Sequence, residues 1–111
     1  MIQGGHDVAT LRNIDSFRDE WLRDFFLYGK HSGKIPMTLS SALARKLDII
    51  NAAVNYQDLR SPPNNRYEEL NPPLKGYVAI RVNEQYRLIF KWIDGKAVDL
   101  YLDPHSYKRH K

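Results

Sequence analysis

The segment Tyr77–Ile93 reads YVAIRVNEQYRLIFKWI and contains two runs in which apolar and polar residues alternate. The apolar positions of the first run are Val78, Ile80 and Val82, and those of the second are Tyr86, Leu88, Phe90 and Trp92. A period of two is typical of β-strands that bury one face. The segment therefore predicts a β-hairpin whose turn lies at Asn83–Gln85.

A third alternating run, Val98–Asp103, follows a turn signal at Asp94–Gly95 and predicts a three-stranded antiparallel meander. In the first hairpin, matching apolar residues across the strands pairs Val82 with Tyr86, Ile80 with Leu88 and Val78 with Phe90. In the second hairpin, a two-residue loop would set Phe90 against Asp99. We therefore expect a loop of odd length that ends in a left-handed Gly95. Arg87 then lies opposite either Tyr101 or Asp103, on the same face in both cases.

Two amphipathic helices are predicted upstream of the meander. The first begins after Ser16, which stands three residues before Asp19, and ends at Gly29. The second spans Leu39–Val54, with an apolar stripe at Leu39, Leu43, Leu47, Ile50 and Val54 and an opposite face that carries Arg45, Asp48 and Asn51. Because the apolar sheet face needs a cover, we predict an α+β fold, with two N-terminal helices packed on one face of a small, mainly antiparallel sheet.

The remaining segments complete a single domain. Residues Met1–Arg12 show no sustained period and are predicted to be a loose N-terminal extension, so the domain spans residues 13–111. Ser61–Asn65 predicts a turn or loop. A short strand is expected at Arg66–Leu70, before Pro72 and Pro73.

The composition narrows the classes of function. The chain has 111 residues, a formal net charge of +4 and no cysteine, with a sequence pI near 9.4. A moderately basic domain suits a polyanionic partner such as RNA, DNA or a ribosome. No disulfide, thiolate metal site or cysteine nucleophile is possible, and no secretory signal or membrane-spanning run is evident, so we expect a cytoplasmic protein.

The polar face of the predicted meander carries the candidate chemistry. It collects Arg81, Arg87, Lys91, Tyr101 and Asp103, and His105 follows the last strand. Metal-independent RNA cleavage needs a general base, a general acid and fixed cations around the phosphate. Histidine has an unperturbed pKa near neutrality, so His105 is a candidate proton carrier. Asp103 can carry a second proton or orient the imidazole, and the fork of Arg87 matches phosphate oxygens.

Further residues are candidates for substrate binding. Lys75, Arg81 and Lys91 add positive charge, and Tyr101 is a candidate for stacking on a base. A simpler interpretation remains open, because a half-exposed sheet ordinarily presents charges to water, and Lys91 and Asp99 suit a plain cross-strand pair. The four histidines share no metal-ligand spacing, so neither a metal nor another cofactor is expected.

The stretch Leu74–Phe90 resembles the HigB toxins of the RelE superfamily. The resemblance rests on the core Ala79-Ile80-Arg81-Val82-Asn83-Glu84-Gln85-Tyr86-Arg87-Leu88. The upstream loop Leu59–Arg66 and the first predicted helix are also similar, so the likeness extends over about Asn13–His105. It implies a RelE/ParE-like fold and a toxin of a type II toxin–antitoxin system.

The resemblance also implies an activity and partners. HigB toxins enter the ribosomal A site and cut messenger RNA with the 2′-oxygen as nucleophile. The implied antitoxin is a HigA-like helix-turn-helix protein, through which the complex binds operator DNA. Arg87 matches the phosphate-binding arginine of the family, and Asp103 and His105 match its acidic residue and terminal histidine.

Departures from the family pattern leave the division of acid and base roles open. Pro104 replaces the residue between the acidic residue and the histidine, and Glu68–Asn71 lacks a histidine that some members carry before the meander. Lys75 supplies positive charge from a neighbouring position. Two other classes remain as alternatives: a ParE-like toxin that poisons DNA gyrase, and a non-catalytic module that binds RNA or the ribosome.

Overall fold

Four antiparallel strands and three short α-helices make up the fold in the computed structural model, which describes residues 10–61 and 63–104. The α-helices are α1 (Glu20–Tyr28), α2 (Ser40–Ala52) and α3 (Gln57–Arg60), with 3-10 turns at Met37–Leu39 and Pro63–Asn65. The strands are β1 (Glu68–Glu69), β2 (Tyr77–Arg81), β3 (Arg87–Ile93) and β4 (Lys96–Asp103), in the sheet order β1-β2-β3-β4. The α+β class and the antiparallel meander are therefore confirmed. Among the described residues, no helix has the length and apolar character needed to cross a membrane.

The β2–β3 hairpin has the predicted register. Val78 lies opposite Phe90 and Ile80 opposite Leu88, and the Val82 amide donates to the Tyr86 carbonyl at 2.9 Å. Alternation alone selects this pairing, because a slip of one residue would turn every apolar side chain to the wrong face.

The β3–β4 hairpin differs from the prediction. Its loop has two residues, since Ile93 pairs directly with Lys96, and Asp94 and Gly95 both have positive φ, at 52° and 78°. These angles suit the tight turns whose twist matches that of the flanking strands. The expected odd-length loop was therefore wrong.

A β-bulge in β4 restores the apolar register instead. Ile89 pairs with Tyr101 but Lys91 pairs with Val98, so Asp99 and Leu100 together face Phe90. Asp99 has φ of 59°, in the left-handed region that aspartate tolerates better than most residues. Beyond the bulge Arg87 lies opposite Asp103, which settles the two alternatives left by the sequence.

The first helix starts later than predicted. It begins at Glu20 after the N-cap residue Asp19 and ends at Gly29, which has the left-handed φ of 68° expected of a C-terminal glycine. Ser16 does not cap it, because residues 13–18 run parallel to β4 with bridges at Ile14–Ala97 and Phe17–Leu100. Asp99 donates its amide to Ser16 Oγ at 2.9 Å.

The second helix is shorter than predicted. A 3-10 turn covers Met37–Leu39 and α2 ends at Ala52, so Val54 lies outside the helix and is 72% exposed. Helix α3, which the sequence did not predict, follows at Gln57–Arg60.

One face of the sheet, called the first face, carries the main hydrophobic core. Buried residues of the strands share a single cluster with buried residues of α1 and α2: Val78, Ile80, Leu88, Phe90, Leu22, Phe26, Leu43, Leu47 and Ile50. At roughly 25 cal/mol per Å² of apolar area removed from water, this cluster is the largest stabilising contribution in the fold. The opposite face, called the second face, presents five of the predicted site residues: Arg81, Arg87, Lys91, Tyr101 and Asp103.

Asn51 is buried, at 8% exposure, although the sequence placed it on the polar face of α2. Its Oδ1 accepts from the amides of Arg12 (2.8 Å) and Asn13 (3.1 Å), and its Nδ2 donates to the Thr10 carbonyl at 2.8 Å. The amide therefore fixes the chain that leads into the core residue Ile14. Thr10 and Arg12, near the end of the predicted extension, take part in this contact, while residues 1–9 lie outside the described part of the chain.

We expect Asn51→Ala to lower the free energy of unfolding by about 2 kcal/mol, because the buried amide of Ile14 and part-buried backbone groups of Thr10, Arg12 and Asn13 would lose a hydrogen bond. Urea titration measures this, with Asp48→Ala on the exposed face of the same helix as the control, expected to change stability by less than about 0.5 kcal/mol. Equal effects of the two substitutions would contradict the role assigned to Asn51.

Candidate functional site

The second face of the sheet has an apolar centre with charged groups at both ends. Ala79, Ile89 and Tyr101 form a buried cluster there with Leu70. Towards one end lie Arg81, Arg87 and Asp103, and towards the other lie Tyr77, Lys91 and Asp99. The polar residues of this face therefore form two separate groups, whereas the sequence predicted one continuous group.

Arg81, Arg87 and Asp103 form a row across three neighbouring strands, here called the Arg–Arg–Asp row. Arg81 pairs with Arg87, and Arg87 pairs with Asp103. Adjacent strands lie about 4.8 Å apart, so the three side chains emerge close together on one face. Two like charges directly opposite each other are ordinarily unfavourable. A bound anion such as a phosphate would relieve the repulsion.

Local contacts hold the two arginines. Arg81 forms an ion pair with Glu84 in the turn. Arg87 donates from Nη1 to the carbonyl oxygens of Asn83 (2.7 Å) and Tyr86 (3.1 Å). Both bonds use Nη1, and a guanidinium carries three further N–H donors on Nε and Nη2.

The turn between β2 and β3 gives this end of the sheet its shape. Asn83 Oδ1 accepts from the amides of Gln85 (2.9 Å) and Tyr86 (2.7 Å), as is common for asparagine in turns. The side chain of Asn83 thus sets the turn, and the main-chain carbonyl oxygen of Asn83 accepts a hydrogen bond from Arg87. Contacts within Asn83–Arg87 therefore hold the side chain of Arg87, the candidate for phosphate binding.

Tyr101 is covered by an arginine that the sequence analysis did not single out. Tyr101 is only 9% exposed, and the guanidinium carbon of Arg18 lies 3.7 Å from the centroid of its ring. Burial raises the pKa of Tyr101, against the opposing effect of Arg18. A nucleobase could stack directly on this ring only if Arg18 moved away.

Arg18 is fixed by a hydrogen-bonded group on the second face. Its Nε and Nη2 donate to the two carboxylate oxygens of Asp99 at 3.2 and 2.8 Å, and Nη2 also donates to the Tyr77 hydroxyl at 3.3 Å. Tyr77 in turn donates to Asp99 at 2.6 Å. Arg18, with support from Tyr77, lowers the pKa of Asp99. The predicted partner of Asp99 was Lys91, so its main partner was missed.

The sequence did contain a signal for Arg18. Asp19 is itself a preferred N-cap residue, and Glu20 is an acid of the kind favoured in the first helical turn. Starting the helix there would have left Ser16–Arg18 in extended chain, free to lie beside a strand. The spacing of Ser16 and Asp19 instead suggested a helix start after Ser16, and that prediction was wrong.

Lys91 and Lys75 lie away from the Arg–Arg–Asp row. Lys91 Nζ is 5.2 Å from the centroid of the Tyr77 ring, four residues along β3 from Arg87 and hence ~13 Å away. Lys75 is exposed and precedes β2, beyond the end of the sheet opposite to the Arg–Arg–Asp row. His105 lies outside the described residues, two positions after Asp103 in the chain. Within residues 10–61 and 63–104, no group of three or more histidine, aspartate or glutamate side chains is arranged to hold a metal ion.

Comparison with known proteins identifies the family. A model described as the RelE-like toxin of the type II toxin–antitoxin system HigB matches residues 15–105. The chain belongs to the HigB-like toxins. It is 53% identical over 91 residues to Toxin HigB-1 of Vibrio cholerae serotype O1, covering 82% of this chain and 96% of that protein. An uncharacterized protein of Haemophilus influenzae is 52% identical over 93 residues, covering 84% of this chain and 92% of that protein.

The resemblance to HigB toxins drawn from Leu74–Phe90 is thereby confirmed. As a member of a type II toxin–antitoxin family, this HigB-like toxin has an antitoxin as its partner. The matched region begins at residue 15, just before Arg18, so Arg18 and the Arg–Arg–Asp row both lie within the part shared with the family.

Asp99 gives the HigB-like toxin a pH-dependent contribution to stability. Its pKa is lowered in the folded state, so this contribution is complete above the unfolded pKa of about 3.9 and is lost as the pH falls through the folded value. We expect Asp99→Asn, which keeps a residue tolerant of positive φ, to cost about 1 kcal/mol at pH 7. The cost should shrink towards zero at acidic pH. Thermal unfolding of both proteins between pH 2 and 7 measures this, and a difference that does not depend on pH would contradict the ion pair.

Proposed function

We propose that this HigB-like toxin is a ribosome-dependent endoribonuclease that cuts messenger RNA and thereby inhibits translation. The observation that carries the proposal is the Arg–Arg–Asp row, where two guanidinium groups and a carboxylate occupy neighbouring strands immediately before His105. Cations beside a proton carrier are what cleavage by the 2′-hydroxyl requires. The net charge of +4 favours the approach of RNA.

The reaction follows from these groups. The 2′-oxygen of one nucleotide attacks the adjacent phosphorus and loses its proton to a base, while the bond to the leaving 5′-oxygen breaks and that oxygen gains a proton. The product is a 2′,3′-cyclic phosphate and a new 5′-hydroxyl. Arg87, with Arg81 beside it, stabilises the charge on the phosphorus-centred transition state. Asp103 and His105 carry the two protons, so no metal or cofactor is needed.

The proposal extends to the partners. The antitoxin is a HigA-like helix-turn-helix protein, and the toxin reaches operator DNA only through that complex. The toxin works in the cytoplasm, in the A site of the ribosome, with no membrane involved. Buried residues of α1 and α2 share the cluster of the first face. We propose accordingly that both helices cover that face and leave the second face to the messenger.

Induction of the toxin with mapping of messenger 5′ ends tests the proposal. We expect new 5′ ends inside translated frames, absent from a reporter whose translation is blocked. Cuts that also appear in the blocked reporter would show a nuclease that needs no ribosome.

Growth arrest with intact messengers would overturn the proposal. Double-strand breaks in DNA would then indicate a gyrase poison. Toxin that sediments with ribosomes without any cutting would indicate a binding module.

A further inference from the structure

The guanidinium of Arg18 lies as a flat layer on the second face. It stacks on Tyr101 with a separation of 3.7 Å between its carbon and the ring centroid. Its side chain is nevertheless 42% exposed. The Tyr101 ring covers one face of the guanidinium, so a ligand could reach the group only from its opposite face or its edges.

The Nε–Nη2 edge of Arg18 is already engaged, and Asp99 pairs with its charge. Nε and Nη2 donate to both oxygens of Asp99, and Nη2 also donates to the Tyr77 hydroxyl. A guanidinium paired with a carboxylate in this way is less suited to a phosphate than Arg87, which bonds to the described residues through Nη1. What it can still offer is its open planar face, and guanidinium planes are surfaces on which nucleobases stack.

Arg18 does not serve merely to attach residues 13–18 to the sheet. Backbone hydrogen bonds already join that segment to β4: the Asp15 amide donates to the Ala97 carbonyl (2.7 Å), and the Arg18 amide donates to the Leu100 carbonyl (2.8 Å). The Arg18 side chain is thus an addition to an edge that the backbone secures.

The position of this layer relates it to the Arg–Arg–Asp row. Tyr101 pairs with Ile89, and the next pair on the same face is Asp103 with Arg87. Two residues along a strand span about 7 Å, so the layer lies beside the groups that would hold the phosphate.

From this geometry we infer that Arg18, held flat on Tyr101 by Asp99 and Tyr77, is a stacking platform for a nucleobase next to the cleaved phosphate. The inference rests on the proposed function and adds a binding subsite to it. It also transfers the stacking role from Tyr101, where the sequence analysis placed it, to the arginine above that ring.

A fluorescent messenger tests the platform independently of cleavage. Ribosomes are programmed with a messenger whose A-site codon carries 2-aminopurine and 2′-deoxyribose, which removes the attacking 2′-oxygen. Stacking quenches 2-aminopurine, so toxin titrations report both the quenching and the half-saturating concentration. We expect wild type to quench, and Arg18→Ala to abolish quenching and raise the half-saturating concentration about ten-fold. Arg18→Lys keeps the charge but loses the plane, so it should also lose most of the quenching.

Arg23→Ala is the matched control, because Arg23 has a side chain of similar exposure, 43%, and forms its ion pairs within α1. It should quench as wild type does. Melting temperatures of all variants establish that they are folded. Asp99→Asn, which frees the edge of Arg18, is expected to weaken quenching without removing the guanidinium.

The outcomes separate this inference from the proposed nuclease. Quenching that depends on Arg18, together with an uncut all-ribose messenger, would support the platform and overturn the nuclease. Cleavage together with quenching that Arg18→Ala leaves unchanged, or no quenching by wild type, would overturn the platform.

Discussion

Replacement of His105 by alanine is expected to abolish growth inhibition and to slow messenger cleavage by about 100- to 10,000-fold, the usual contribution of a proton carrier. His105 follows Asp103 by two residues, and Asp103 pairs with Arg87 in the sheet. Histidine is the side chain whose ordinary pKa lies nearest to neutral pH, which suits it to carry a proton in the proposed reaction. The measurement is single-turnover cleavage on programmed ribosomes.

His31→Ala provides the matched control, since His31 is exposed in the loop after α1. It should leave cleavage and growth inhibition as in wild type. Both variants should keep the wild-type melting temperature. Cleavage by His105→Ala at the wild-type rate would remove His105 from the proton transfers and leave Asp103 as the remaining candidate.

Replacement of Arg87 by alanine is expected to reduce cleavage by about 100- to 1,000-fold, the typical cost of losing one donor to a developing negative charge. Arg87→Lys should retain part of the activity, because lysine keeps the charge but lacks the planar fork. Cleavage rates at saturating toxin distinguish the two variants. Equal losses would show that planar recognition of the phosphate contributes nothing.

Arg87→Ala also removes two hydrogen bonds to the β2–β3 turn. A loss of about 1 kcal/mol in unfolding free energy is therefore expected beside the kinetic effect. Arg45→Ala, at an exposed position of α2, controls for the loss of one positive charge. If the stability loss alone caused the defect, lowering the temperature would restore the rate of Arg87→Ala to that of wild type.

Much of the candidate site could be predicted from the sequence because the β2–β3 hairpin is local. Alternation of apolar residues selects one register, and that register places Arg81 opposite Arg87. The C-terminal glycine of α1 is predictable for a similar reason, since Gly29 adopts the left-handed conformation that ends a helix at least cost.

Other features depended on contacts between distant parts of the chain. The bulge at Asp99 decides that Arg87 faces Asp103, and the amide of Asp99 is bonded to Ser16. The late start of α1 depends on the same contact, because residues 13–18 lie against β4. The helical pattern of α2 predicted Asn51 to be a polar surface residue. It is buried because the chain at Arg12 and Asn13 packs against it.

By itself the sequence determined the strands, the register of the first hairpin and the family, all of which depend on residues near one another in the chain. Only the tertiary structure decided that Arg18 covers Tyr101 and that the charged groups of the second face are divided between its two ends. The physical reason is that periodicity reports which face of an element is buried. Which segment covers an exposed edge or ring depends on packing between residues as far apart in the chain as Arg18 and Asp99.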